Sequence, residues 1–269
     1  MKRDSHVIVV GSQKGGVGKT TSCVHIAAAL GQAGRRCLLW DFDANQGATT
    51  HLGIEGDAYQ GTAEVLSGEE RIADVIVTRA DGIDLPKGVD VVPASAALER
   101  VERPGADAHL ARAVADVHGR YDYLLFDTAP NLTVPTVEAY RAAHWFVLTA
   151  VAEPFALVGL RRAIDSLQRS MDLGTARGRL LGVLFGSVHP TRRPRLEGEL
   201  LAYARERLDV LRGRPLLFPT MISSAAIVPR SQMEGRTVFQ LAPRHRVALE
   251  YREVAAEIES RIRAHLRDE

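Results

Sequence analysis

Short runs of apolar, β-branched residues alternate along this chain with longer stretches in which apolar side chains recur every three or four positions. The short runs are HVIVVG (6–11), RCLLWDFD (36–43), GVDVVPA (88–94), YDYLLFDTAP (121–130), HWFVLTAV (144–151) and RLLGVLFGSV (179–188), and each predicts a strand. The helical spacing falls at 19–34, 107–120, 133–143 and 155–171, and a long amphipathic helix is predicted over 244–268. Gly34 predicts the end of the first helix. Strands that are apolar on both faces and separated by helices predict an α/β fold, a mostly parallel twisted sheet flanked by helices on both faces. Residues 53–87, rich in Gly and Asp, break the rhythm and predict a small excursion of loop and helix. No linker divides the pattern, so the expectation is one domain over residues 1–269.

Composition changes this picture little. The 269 residues are 46% hydrophobic and 25% charged, with a net charge of +1. No global field would gather nucleic acid, so any such surface must be a local patch. The two cysteines, Cys23 and Cys37, are expected to be buried thiols of a reduced, cytoplasmic compartment. The N-terminal apolar run is too short for a signal peptide and leads straight into a glycine-rich loop. No run approaches the ~20 apolar residues of a membrane span.

That loop, GSQKGGVGKTT (11–21), joins the first predicted strand to the first predicted helix. It reads best as a phosphate-binding loop over Lys14, Gly15, Gly16, Val17, Gly18, Lys19 and Thr20. Glycines let backbone N–H groups turn inward around phosphate oxygens, and the following helix points its positive end at the same anion. Lys19 would bridge the outer phosphates, the Thr20 hydroxyl would ligate Mg²⁺, and Thr21 would reach the α-phosphate. Asp127, at the end of YLLFD, supplies a carboxylate for the magnesium shell. Asp41 and Asp43 end the second strand, where an aspartate facing the crevice would orient the attacking water or add to the magnesium site. Lys14 is a second lysine at the mouth of the loop. Two ammonium groups on one set of phosphates repel each other. Lys14 is therefore either a solvated loop residue or a group that reaches the nucleotide of a second subunit, in the manner of an arginine finger.

KGGVGKTT with its leading lysine, DFDANQGATTHLG and LLFDTAP together resemble the ParA/MinD family of deviant-Walker P-loop ATPases, most closely its ParA branch. The order and spacing match over essentially the whole chain, and GRTVFQLAPRHRVALEYREVAAEI is similar to the family's C-terminal region. The family pattern D-x-D-P-Q-G-N-A-T stands here as DFDANQGAT, with Ala44 in place of the proline. The resemblance implies a P-loop NTPase fold that uses ATP and Mg²⁺ and a homodimer joined by ATP. In it Lys14 is the signature lysine crossing the interface, Lys19 and Thr20 hold phosphate and Mg²⁺, and Asp43 is the main water-orienting carboxylate. It also implies non-specific DNA binding by the ATP dimer, release through a ParB-like or adaptor partner that stimulates hydrolysis, and a cytoplasmic, nucleoid-associated place. The cargo would be a chromosome, a plasmid or a protein assembly.

Candidate DNA contacts are Arg192, Arg193 and Arg195 in HPTRRPR, together with Arg230. Arg205, Arg207, Arg212, Arg214, Arg236, Arg244 and Arg246 extend the same basic region. The family's T-x-I-P-R is replaced here by PTMISS, with Ser223 and Ser224 in place of the proline and arginine. The first strand is predicted to begin near residue 6, so no operator-reading helix-turn-helix is expected before it. Rival readings are a MinD-like membrane-associated switch, a nitrogenase-type iron protein and a P-loop kinase. The terminal ESRIRAHLRDE offers only Ile262 and Leu266 as an apolar face, too little to hold a membrane. Cys23 and Cys37 are placed where neither serves a cluster. A kinase would leave Lys14 unexplained.

Overall fold

The computed structural model describes residues 5–12, 14–102, 105–151, 156–174, 176–188, 199, 202, 204, 206 and 215–267. Its strands are β1 (His6–Gly11), β2 (Cys37–Phe42), β3 (Val89–Val92), β4 (Tyr123–Thr128), β5 (Trp145–Val151) and β6 (Arg179–Gly186). They form a sheet in the order β3-β2-β4-β1-β5-β6, and every neighbouring pair is parallel. The six apolar runs thus form the expected strands, β1 over its whole run and the other five trimmed. The run over 121–130 stops at Thr128, two residues before Pro130, which has no N–H to donate to a ladder.

The connections are α1 (Lys19–Gln32), α2 (Gly47–His51), α3 (Thr62–Ser67), α4 (Ile72–Val75), α5 (Ala106–Val117), α6 (Val134–Ala142) and α7 (Ala156–Asp172). After β6 come α8 (Ile227–Met233), α9 (Val238–Leu241) and α10 (Arg246–Arg267). The excursion over 53–87 contains α3, α4 and short 3₁₀ turns. Gly34 closes α1 as expected: its φ is 86°, and the Arg35 and Gly34 amides donate back to the carbonyls of Leu30 and Gly31. Helix α2 was not expected. It has five residues, begins with a glycine and has too little length for a helical period to show.

Alternate side chains of each strand enter opposite layers. Ile8, Val10, Leu39, Val91 and Leu125 pack with α1 and with Val247, Val254 and Ile258 of α10. Val7, Val9, Leu38, Trp40, Phe42 and Phe126 pack with α3, α5 and α6. The second layer centres on three aromatic rings, with Phe42 4.7 Å and Trp40 5.3 Å from Phe126. Trp40 Nε1 donates to Thr62 Oγ1 at 3.0 Å, so the buried indole is satisfied and α3 is fastened over β2. On the other face His25 ties α1 to α9. Its Nε2 accepts from the Val238 amide at 3.0 Å, which leaves Nδ1 to donate to the Thr21 carbonyl at 2.8 Å. Burial pushes that imidazole down to about 4, so it is neutral at pH 7.

The strand order changes direction around β1. Helix α1 leads to β2 on one side and α6 leads from β4 to β5 on the other, which opens a crevice at the carboxyl ends of β1, β2 and β4. Phe126 is fully buried one position before Asp127 in β4. Phe126→Ala is expected to cost about 3–5 kcal/mol in urea unfolding, whereas Leu249→Ala, at a half-exposed position, should stay within about 0.5 kcal/mol.

Candidate nucleotide-binding site

Between Gly11 and Lys19 the chain must turn sharply out of the sheet and into a helix. Gly16 and Gly18 take φ values of 74° and 81°, which side chains with a Cβ rarely adopt, and Gly18 is the N-cap of α1. A Cβ added at Gly15, Gly16 or Gly18 would meet no atom within 4 Å, so these glycines border open space. Val17 faces inward and is buried. No side chain caps α1 and its first turn holds no acidic residue, so its positive end is left for an external anion.

The two lysines are placed differently. Lys19 is buried and its ammonium donates to the Lys14 carbonyl at 3.3 Å. Burial lowers its pKa, while Asp127 and Asp43 pull it back up. Lys14 is exposed. Thr20 is half-buried. The Thr21 hydroxyl accepts from Gln232 Nε2 of α8 at 2.9 Å.

Asp41 and Asp127 are register partners on adjacent strands, and both are fully buried. Their surroundings differ. Asp41 accepts from the Asp43 amide at 3.0 Å, the Thr49 amide at 3.0 Å and the Thr49 hydroxyl at 2.8 Å. Desolvation still pushes it up to about 6, with those donors opposing. Neither carboxylate oxygen of Asp127 has a hydrogen-bond partner of good geometry. Burial first, then the charge of Asp41, holds Asp127 well above the usual carboxylate range; Thr20 and Lys19 act the other way. Asp43 lies half-buried at the mouth, its Oδ1 accepting from the Asn45 amide and side chain at 2.9 Å each.

Asp127 and Asp43 therefore both act on one buried ammonium, and Asp127 has no donor of good geometry. This donor set, Asp127 and the Thr20 hydroxyl, fits a hard divalent cation. Among the described residues no group of three or more His, Cys, Asp or Glu is placed to hold a metal by protein ligands alone. That suits Mg²⁺, which usually keeps waters and substrate phosphates in its shell. Asp41 stands beside Asp127 as expected, but its oxygens are engaged by three protein donors.

A cavity of about 140 Å³ opens next to the loop, between Gly18 and Thr21 on one side and Ser187, Ser223, Ser224 and Val228 on the other. Ser223 is buried, and its amide and hydroxyl both donate to Glu250 of α10. Ser223 thus anchors the loop before α8, while the exposed Ser224 faces the cavity. Of the candidate DNA contacts, Arg192, Arg193 and Arg195 lie outside the described residues. Arg230 is described, and it pairs with Glu234 at 2.7 Å. Gln232 and Asp57 near this site escaped sequence reading. Their partners lie 211 and 11 residues away, and no local signal marks such pairs.

The AAA domain family matches residues 5–174. The chromosome-partitioning ATPase Soj of Thermus thermophilus is 32% identical over 259 residues, covering 95% of this chain and 96% of that protein. The chain belongs to the ParA/MinD family of P-loop ATPases, on its ParA side. Among solved structures, the cobyrinic acid a,c-diamide synthase of Mycobacterium smegmatis with bound ATP analogue and magnesium superposes with a TM-score of 0.75. It is 28% identical and covers 94% of this chain and 93% of its own. An ATP complex of a McdA variant from Cyanothece has a TM-score of 0.79 and covers 97% of both chains; at 18% identity it speaks for the fold alone.

In this ParA/MinD protein the unpaired Asp127 carboxylate should cost stability when no cation is bound. Asp127→Asn is expected to raise nucleotide-free stability at pH 7 by about 1–3 kcal/mol in thermal or urea unfolding. The raised folded pKa sets the sign. Below about pH 4 Asp127 is protonated in both folded and unfolded states and the gain disappears; it grows as pH rises from there. A destabilised variant at pH 7 would show that Asp127 is already compensated.

Proposed function

We propose that this chain is a ParA-type ATPase, a single domain over residues 1–269, that binds Mg²⁺ and ATP and closes as a homodimer around the nucleotide. The ATP dimer binds DNA without sequence preference. A ParB-like or adaptor partner stimulates hydrolysis to ADP and phosphate, and the dimer then lets go. Its place is the cytoplasm, on the nucleoid, and its cargo is DNA or a protein assembly to be segregated or positioned.

The contrast between the two lysines carries this reading. The buried Lys19 is committed to its own loop, while the exposed Lys14 stands at the mouth, where a second subunit can be reached. Backbone amides of residues 15–18 and the start of α1 would cradle the phosphates, Lys19 would turn from the Lys14 carbonyl to a phosphate oxygen, and the cavity beside Thr21 would take the nucleoside. Thr20 and Asp127 would hold Mg²⁺, with Asp41 fixing the loop beside them. Bound Mg²⁺ would neutralise charge developing on the phosphate oxygens. Asp43 would orient the attacking water. Lys14 of the partner subunit would add positive charge to the transferred phosphoryl group.

Other observations bear on the rivals. Of the two apolar positions read in the terminal segment ESRIRAHLRDE, Ile262 is buried in the core, leaving Leu266 half-exposed. No helix among the described residues is long and apolar enough to cross a membrane. Cys23 and Cys37 are both buried and burial pushes both thiols up, away from the thiolate form that ligates iron. The ion pair of Arg230 with Glu234 is exposed, so a DNA phosphate would displace it at little cost.

DNA binding should be measured by fluorescence anisotropy on two unrelated duplexes, without nucleotide, with ADP and with Mg·ATP. Only Mg·ATP should support binding, equally on both duplexes and steeply weakened by salt. Lys14→Ala should abolish both binding and the ATP-induced dimer seen by light scattering. Dimerisation without DNA binding in any state would remove the nucleoid from the proposal.

A further inference from the structure

Gln46 takes φ 58° and ψ 35°, the left-handed region that suits glycine and is unfavourable for a glutamine. Among the described residues only Ser187 shares this property outside glycine. The family pattern D-x-D-P-Q-G-N-A-T, laid over residues 41–49, has glycine where Gln46 stands. The strain falls between two parts of the site. The Gln46 amide donates to the Asp43 carbonyl at 2.8 Å, and its own carbonyl accepts from Thr50 in α2 at 2.9 Å. The next residue, Gly47, lies against Thr20, where an added Cβ would come within 3.2 Å of the Thr20 hydroxyl oxygen.

The Gln46 side chain is held from the far side. Its Nε2 donates to Asp57 Oδ1 at 3.0 Å, and the same oxygen accepts from the Ala96 amide at 3.0 Å. Gly56 leaves room for this arrangement: a Cβ there would lie 2.6 Å from Gln46 Oε1 and would also strike the Ala94 carbonyl. The 3₁₀ turn at Gly56–Ala58 and the segment after β3 therefore grip one side chain of the Asp43 loop.

We propose that Gln46 and Asp57 form a latch that holds a strained turn in place and so positions Asp43 at the mouth of the site and Gly47 against Thr20. Gln46 is a positioning residue, and its effect on turnover rests on the ATPase reading above. The latch substitutes a side-chain contact for the conformational freedom that glycine would bring to position 46.

Comparing Gln46→Ala with Gln46→Gly separates strain from contact. Both delete the amide, but only glycine adopts the turn freely. Amide hydrogen exchange without nucleotide should speed up about tenfold at Asp43 and Thr49 in Gln46→Ala and in Asp57→Ala, and return most of the way in Gln46→Gly and in the Gln46→Gly/Asp57→Ala double variant. With Mg·ATP, kcat should fall about tenfold in Gln46→Ala with KM for ATP within about twofold, and recover in Gln46→Gly. Equal exchange in Gln46→Ala, Gln46→Gly and the unaltered protein would overturn the latch. So would equal impairment of the alanine and glycine variants. An unaltered protein without ATPase activity would instead defeat the ATPase reading, while the exchange result would still judge the latch.

Discussion

The site depends on the cost of burying an unpaired carboxylate. Asp127 sits at the end of β4 with no exposure, no well-formed donor and another buried carboxylate beside it. A fold driven by stability alone would place an apolar residue there, as it does at Phe126 one position earlier. The strand order makes that burial unavoidable, because β4 lies between β1 and β2 and its end opens into the crevice where the phosphate loop turns. The cost falls when a cation arrives. Lys19 supplies part of the compensation, and it is itself poorly solvated, with its ammonium on a main-chain carbonyl at 3.3 Å. The glycine loop, both aspartates and the lysine thus form a site whose charge is balanced by what it binds.

The same logic separates Asp41 from Asp127. Two carboxylates on neighbouring strands differ because one has three well-formed donors and the other has none of good geometry. Asp41 uses its donors to fix the Asp43 turn and the start of α2, so its contribution is largely architectural. Thr49 extends the chain of contacts, since its hydroxyl also accepts from the Ala94 amide after β3. The segment joining β2 to α2 is therefore tied to two neighbouring stretches of chain as well as to its own strand.

Much of this was legible in the sequence. The six apolar runs are the six strands because each is buried on both faces, and alternation of layers follows from the pleat. Lys14 to Thr21 and Asp127 were legible because a strand, a glycine turn and a helix must follow one another in the chain. What escaped depends on distant pairs. Gln46 with Asp57, Thr21 with Gln232 and Ser223 with Glu250 leave no periodic trace, and α2 is too short to have one. The substitution of Ser223 in the family's pattern shows the limit well. In the sequence it stands only in place of the proline, whereas the structure buries it and anchors its loop to α10 through Glu250.

The most direct test of the charge-balance account is a thermal unfolding series on the unaltered protein with EDTA, Mg²⁺ alone, ATP with EDTA, and ATP with Mg²⁺. Ligand linkage gives about 2.7 kcal/mol of stabilisation at a hundredfold excess over Kd. The account predicts that Mg²⁺ and ATP together stabilise by clearly more than the sum of their separate effects, because each supplies charge that the other needs in the crevice. Equal stabilisation by ATP with EDTA and by ATP with Mg²⁺ would contradict it, and Asp127 would then be a buried acid without a cation to hold.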